Sequence, residues 1–302
     1  GGLVATILIA GLINLETTVA VDAFPLSYQP VRFPFHGIQT RTSGVGYNLS
    51  AALTRLGHTS RLAAMVGQDE LSSLVRATMA ADGIDDRFLL KTLPTTPQSV
   101  ILFEPSGRRQ IHVDLKDIQE ATYPDEVFQK ALDGVDLALV CNINFARRFL
   151  GEIRTRGIPI ATDVHTINSL DDPYNRDFME AADFLFCSDE QLPVSPEQWA
   201  EQVMKHLNTH VLVVGCGAEG SMLVERDKLP IRVPAVSPRP VHNTIGAGDA
   251  LLSGFIHGIV SGLEPETALH QAAYFAGWKI GEASASRGFL TAAELREKFC
   301  NR

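Results

Sequence analysis

Apolar runs closed by glycine set the rhythm of this chain. Val4 to Ala10 is apolar apart from Thr6 and stops at Gly11. A run so short and so continuous predicts a strand buried on both faces of a parallel sheet. Residues 17–42 read differently. Thr17-Thr18-Val19-Ala20-Val21 is followed by prolines at 25, 30 and 34 and by several aromatics, which predicts short, irregular, partly exposed strands. Ser43-Gly44-Val45-Gly46-Tyr47-Asn48 then opens a helix with Leu49, Ala52, Leu53 and Leu56 on one face and Gly57 at its end. Arg61 to Val66 reads as a strand, and Leu71 to Ala81 as a helix stopped by Asp82-Gly83. Thr95 to Asp114 reads as a hairpin, in which Ser99–Phe103 and Arg109–Val113 flank a Pro-Ser-Gly turn. The segments 17–42 and 95–114 are expected to pair as a small separate sheet.

From Tyr123 the pattern becomes regular. Strand-like runs at 137–141, 158–161, 184–187 and 211–215 alternate with helical stretches around 124–132, 145–156, 177–181 and 197–207. Two more helices, 250–261 and 265–282, follow. This alternation predicts a mostly parallel sheet covered on both faces, within one domain spanning 1–302. The apolar start, Gly1 to Ile13, is too short to span a bilayer and carries no basic flank, so no membrane partner is expected.

Composition narrows the partners. Of 302 residues, 45% are hydrophobic and 20% charged, as in ordinary soluble domains. The net charge of −9, with no basic block, argues against a nucleic-acid partner. It leaves nucleotides open, because backbone N–H groups hold phosphates locally. Cys141, Cys187, Cys216 and Cys300 form no C-x-x-C pair, and three sit in apolar, strand-like runs. Reduced core thiols and a cytoplasmic setting are therefore expected.

The candidate chemistry centres on Asn243-Thr244-Ile245-Gly246-Ala247-Gly248-Asp249-Ala250, ahead of a helix with Leu251, Leu252, Phe255, Ile256, Ile259 and Val260 on one stripe. A helix start offers free N–H groups and partial positive charge, and glycines let that backbone approach a phosphate. A carboxylate beside such a cradle can take the proton of a hydroxyl, as phosphoryl transfer to an alcohol requires. The competing reading is a plain turn with Asp249 as N-cap, worth about 1 kcal/mol.

Four motifs carry a resemblance to the ribokinase-like, or phosphofructokinase-B, family of carbohydrate kinases. They are Gly11-Leu12-Ile13-Asn14-Leu15-Glu16, Ser43 to Asn48 running on to Gly57, Gly217-Ala218-Glu219-Gly220, and Asn243 to Asp249. The resemblance spans nearly the whole chain, in the family's order. It implies a three-layer α/β/α fold with a mostly parallel central sheet and a small β lid, built here from 17–42 and 95–114. It implies Asp249 as general base and the N–H groups of Gly246, Ala247 and Gly248 as the anion hole. Asn14, Glu16, Gly44 and Asn48 match the sugar-binding set, Gly217 and Gly220 the turn beside the nucleotide, and Thr244 a phosphate-side contact. ATP and Mg2+ are implied, with no metal ligand assigned, and so is a homodimer through the lid.

The chain departs from the family pattern at four places. Asn243 stands where Asp is usual, in a loop that helps some relatives hold a monovalent cation, which weakens the expectation of K+ activation. Ser188-Asp189-Glu190-Gln191 stands for the usual Asn-x-x-Glu segment, Glu16 for Asp, and Ser43 for the first Gly of the early motif. Arg108 and Arg109 are expected as a solvated pair at the lid tip, and His112, His165 and His242 as isolated residues. The function expected is ATP-dependent phosphorylation of a sugar hydroxyl. The alternatives are a nucleoside kinase, with Phe24, Tyr28, Phe33 and Phe35 as a wall for the base, or a non-catalytic sugar- or nucleotide-binding regulator. A dinucleotide-dependent oxidoreductase is set aside because no G-x-G-x-x-G follows the first strand.

Overall fold

In the computed structural model, which describes residues 3–282 and 286–300, the opening apolar run is strand β1 (Thr6–Ala10), buried except at Thr6. Gly1 and Gly2, the first residues of the apolar start that extends to Ile13, lie outside the described residues. The further strands are β2 (Asn14–Ala20), β3 (Ile38–Ser43), β4 (Thr59–Gly67), β5 (Leu89–Leu93), β6 (Gln98–Phe103) and β7 (Arg109–Asp114). After them come β8 (Leu137–Val140), β9 (Ile160–Thr166), β10 (Phe184–Ser188), β11 (Val211–Gly215), β12 (Ser221–Glu225) and β13 (Ile231–Val233). The helices are α1 (Val45–Arg55), α2 (Leu71–Ala81), α3 (Asp125–Ala131), α4 (Asn144–Arg147) and α5 (Leu150–Thr155). They continue with α6 (Arg176–Ala181), α7 (Pro196–His206), α8 (Ala247–Val260), α9 (Pro265–Lys279) and α10 (Ala292–Cys300).

Nine strands form the large sheet in the order β13-β12-β11-β10-β9-β8-β1-β4-β5. It is parallel from β11 to β5, and β12 and β13 add an antiparallel edge. From β1 the chain moves outward to β4 and β5, then returns to β8 and moves the other way. Right-handed crossovers in opposite directions place helices on opposite faces, so both faces are covered; α8 packs between α1 and α9. The strand order reverses between β1 and β8, and ligands of open α/β sheets bind at the carboxyl ends of the strands beside such a reversal.

Four strands form the small sheet, in the order β3-β2-β6-β7. β2 is antiparallel to β3 and parallel to β6, and β6 is antiparallel to β7. In the 17–42 segment the strands occupy only the ends, and 21–37 is irregular with Tyr28, Phe33 and Phe35 exposed.

Several boundaries differ from the pattern. The single helix expected over 145–156 is two, α4 and α5, broken between Arg147 and Leu150. The helix expected over 250–261, α8, starts at Ala247 instead of 250, because the cradle glycines are themselves part of its entry. The short edge strands β5 and β13 carried no alternation strong enough to mark them. Among the described residues, no helix is long and apolar enough to cross a membrane. Cys141, Cys187 and Cys216 are buried free thiols and Cys300 is exposed.

Candidate active site

The entry to α8 is built by its own loop. Asn243 Oδ1 accepts from the Ile245 N–H at 3.0 Å, and the Thr244 carbonyl accepts from the Ala247 N–H at 3.2 Å. The loop is moored to the end of α9, where the Ile280 carbonyl takes the N–H groups of His242 (2.8 Å) and Asn243 (3.2 Å). Gly246 is the N-cap, with φ 76° and ψ 11°, a left-handed conformation that glycine adopts at no steric cost. Asp249 is therefore the third residue of the helix, and no side chain caps this end; the N-cap reading of Asp249 is wrong. Among the described residues, the N–H groups of Gly246, Gly248 and Asp249 find no protein acceptor, whereas that of Ala247 is already engaged.

The Asp249 carboxylate is half-buried and accepts from Asn48 Nδ2 at 2.8 Å, joining α8 to the first turn of α1. Burial pushes its pKa up to about 6; the Asn48 bond and nearby His165 and Lys279 oppose the rise, and Asp163 adds to it. Glu16, on β2, is raised by burial and lowered by the Ser43 hydroxyl, which donates to it at 3.2 Å. Lys279 and Asp249 both act electrostatically on Glu16, so the three charges share one neighbourhood. Asn14, at the start of β2, donates to Ser99 Oγ at 3.3 Å.

Two polar atoms here lack partners. Asn14 Oδ1 and Asn48 Oδ1 are buried with no hydrogen-bond donor among the described residues. Buried carbonyl oxygens are rarely left so, because desolvation without a bond costs about 1–3 kcal/mol; a ligand bringing hydroxyl donors would satisfy both. Gly44, the N-cap of α1, has φ 100°, and a Cβ on it would meet the Leu12 carbonyl oxygen at 2.5 Å. That close approach is what brings Asn48 up to the β1–β2 junction.

Beside the α8 entry lies a cavity of about 460 Å3, lined by Gly217, Gly220, Ala247, Gly248 and Gly277 among others. Gly217 and Gly220 bracket the turn that joins β11 to β12. Asp163 and His165, at the end of β9, and Asp189 and Glu190, after β10, also face it. Among the described residues no three His, Cys, Asp or Glu side chains gather to cage an ion. Scattered carboxylates at a cavity wall suit a magnesium ion that arrives with phosphates and keeps much of its water.

Thr244 does not line this cavity; its Oγ1 accepts from Arg109 Nη1 at 3.0 Å. Arg108 and Arg109 are both exposed, as expected of a solvated pair, but Arg109 also reaches from β7 of the small sheet to the cradle loop. His165 is likewise not isolated: its backbone N–H donates to Asp163 Oδ1 at 2.7 Å, and its ring lies 3.5 Å from the same carboxylate. Lys279 was overlooked. Its signal was a lysine on the buried stripe Ala268, Ala272, Phe275, Lys279 of α9, where a lysine is rare unless paired.

A model of the pfkB family of carbohydrate kinases matches residues 5–292. The acarbose 7(IV)-phosphotransferase of Actinoplanes sp. is 25% identical over 292 residues, with 96% of each chain covered. The bifunctional protein HldE of Bradyrhizobium diazoefficiens is 26% identical over 277 residues; the match covers 83% of this chain but 54% of that protein, so the chain spans about half its length. Among solved structures, a microbiome-derived acarbose kinase, Mak1, superposes with a TM-score of 0.88 at 23% identity, covering 99% of this chain and 100% of that one.

Proposed function

We propose a reaction from one premise: the chain belongs to the pfkB family of carbohydrate kinases. In this reading it moves the terminal phosphoryl group of ATP onto a hydroxyl of a small sugar. The nucleotide lies in the cavity beside Gly217 and Gly220, with its terminal phosphate at the α8 entry. The acceptor lies against Asn14, Glu16, Gly44 and Asn48. Asp249 takes the proton of the acceptor hydroxyl, whose oxygen bonds to phosphorus as the bond to the ADP oxygen breaks. The proton stays on Asp249 until product leaves.

The observation that carries this reading is one turn of helix. It holds a half-buried carboxylate and, on Gly246 and Gly248, N–H groups without acceptors. Such donors stabilise charge spreading over the equatorial phosphate oxygens without having to reorganise. Ala247 contributes to the turn, its own N–H being held by Thr244. Magnesium, bound with the nucleotide, would neutralise phosphate charge, with Asp163, Asp189 and Glu190 as the carboxylates placed to meet it or its water. Arg109 and Thr244 hold the small sheet over the site as a lid, and we propose that two lids pair in a homodimer. β7 presents Ile111 and Val113, each half-exposed, on the same side as Arg109. A solution mass twice 32.9 kDa is expected; a monomer at all concentrations would refute the pairing.

A sugar acceptor is favoured because the two unpartnered carbonyl oxygens call for hydroxyl donors. ADP release with a panel of pentoses, hexoses, acarbose and nucleosides tests it. Turnover with sugars supports the reading, turnover confined to nucleosides replaces the acceptor, and nucleotide binding without any transfer points to a regulator.

A further inference from the structure

Lys279 has no exposed surface and closes α9 on that helix's buried stripe. An ammonium taken from water needs a strong partner, and the expected partner would be a carboxylate. Here the hydrogen bond goes instead to a backbone carbonyl: Nζ donates to Ile245 O at 2.5 Å. Asp249 on α8, Glu16 on β2 and Glu282 beyond α9 favour the charge from nearby, and Arg239 opposes it. Burial pushes the Lys279 pKa down to about 8, which leaves it charged at neutral pH.

The carbonyl matters because of what shares its peptide plane. In a trans peptide the C=O and N–H point in opposite directions. The plane that offers its oxygen to Lys279 is the one that offers the Gly246 N–H to the cradle. Its two neighbours are already spent: the Ile245 N–H on Asn243 and the Ala247 N–H on Thr244. Gly246 is also the one residue of this entry in a left-handed conformation, where a glycine peptide turns over easily unless something holds it.

We propose that Lys279 is a built-in monovalent cation of this site, a positioning residue whose ammonium fixes the Ile245–Gly246 peptide so that the Gly246 N–H faces the transferring phosphoryl group. The inference rests on the reaction proposed above. It makes turnover independent of any dissolved monovalent cation, because the charge that orients the loop is tethered to α9.

The test compares wild type, Lys279→Met and Lys279→Ala in potassium, ammonium and choline chloride at equal ionic strength. Wild-type turnover is expected to be the same in all three salts. Lys279→Met should lose about 10- to 100-fold in kcat, less than or comparable to removal of one oxyanion donor, with KM for ATP changed far less. Lys279→Ala should recover turnover in ammonium or potassium but not in choline, a rescue that a merely structural lysine would not give. Wild-type activation by potassium over choline, or full kcat in Lys279→Met, would overturn the proposal. Should the variants fail to fold, the wild-type salt comparison decides alone. Absence of transfer by wild type with every acceptor would count against the reaction itself. The cation site would then be judged by melting: Lys279→Ala stabilised by ammonium over choline supports it, and no difference overturns it.

Discussion

At the scale of single residues, the role proposed for Asp249 makes the ionisation of its carboxyl the condition for transfer. A general base acts only when ionised. With the carboxyl pushed up to about 6 by burial, kcat/KM should rise with pH through that region and then level, since this ratio reports the free enzyme. The Asn48 amide favours the ionised form through its 2.8 Å bond. Asn48→Leu should therefore move the acid limb to higher pH; a limb that stays put or moves lower would contradict the role given to that bond. The helix entries that hold Gly44, Asn48 and Asp249 were legible in the chain because glycine-rich helix starts leave a local signature, whereas the roles expected of Gly44 and Asn48 came from the family resemblance. Lys279, His165 and Arg109 were not legible, because their roles come from contacts across long stretches of chain: Ile245 for Lys279, the Asp249 field for His165, Thr244 for Arg109. A lysine on an apolar stripe marks Lys279 as buried but not which group it meets, and no local pattern separates His165 or Arg109 from a loop histidine or a surface arginine.

At the scale of elements, the site is where two helix entries meet, α1 bringing Asn48 and α8 bringing Asp249. The α1 entry depends on Gly44, whose conformation and contact with the Leu12 carbonyl both exclude a side chain. Gly44→Ala should lower Tm by at least about 1–2 °C, as expected for a strain of about 1 kcal/mol or more in a chain of this length. It should also raise KM for the acceptor more than KM for ATP, since Gly44 lies on the proposed acceptor side and does not line the cavity proposed for the nucleotide. Equal changes in both would argue that α1 does not shape the acceptor side. The small sheet touches the cradle through Arg109, so Arg109→Ala should lower kcat/KM by about 3- to 30-fold with Tm nearly unchanged, the behaviour of a closing element. Unaltered kinetics would leave that contact without consequence. The core strands were legible from their unbroken apolar runs, whereas the half-exposed edges β5 and β13 were not. The break between α4 and α5 was hidden because apolar spacing continues through Phe149 and Leu150.

At the scale of the whole molecule, sheet order explains why residues more than two hundred positions apart become neighbours. The strand order reverses between β1 and β8, and the α8 entry, moored to α9, lies at the carboxyl ends of the parallel strands. Strand and helix alternation made the parallel sheet legible; strand order was not, because an apolar strand carries no mark of its neighbours. The proposed transfer requires that the α8 carboxylate take the proton of the acceptor hydroxyl. The most direct measurement is acceptor-dependent ADP release by wild type and by Asp249→Asn, with ATP affinity measured on both. The variant should lose about 10²- to 10⁴-fold in kcat while binding ATP nearly as well. A variant that turns over at close to the wild-type rate would contradict the account.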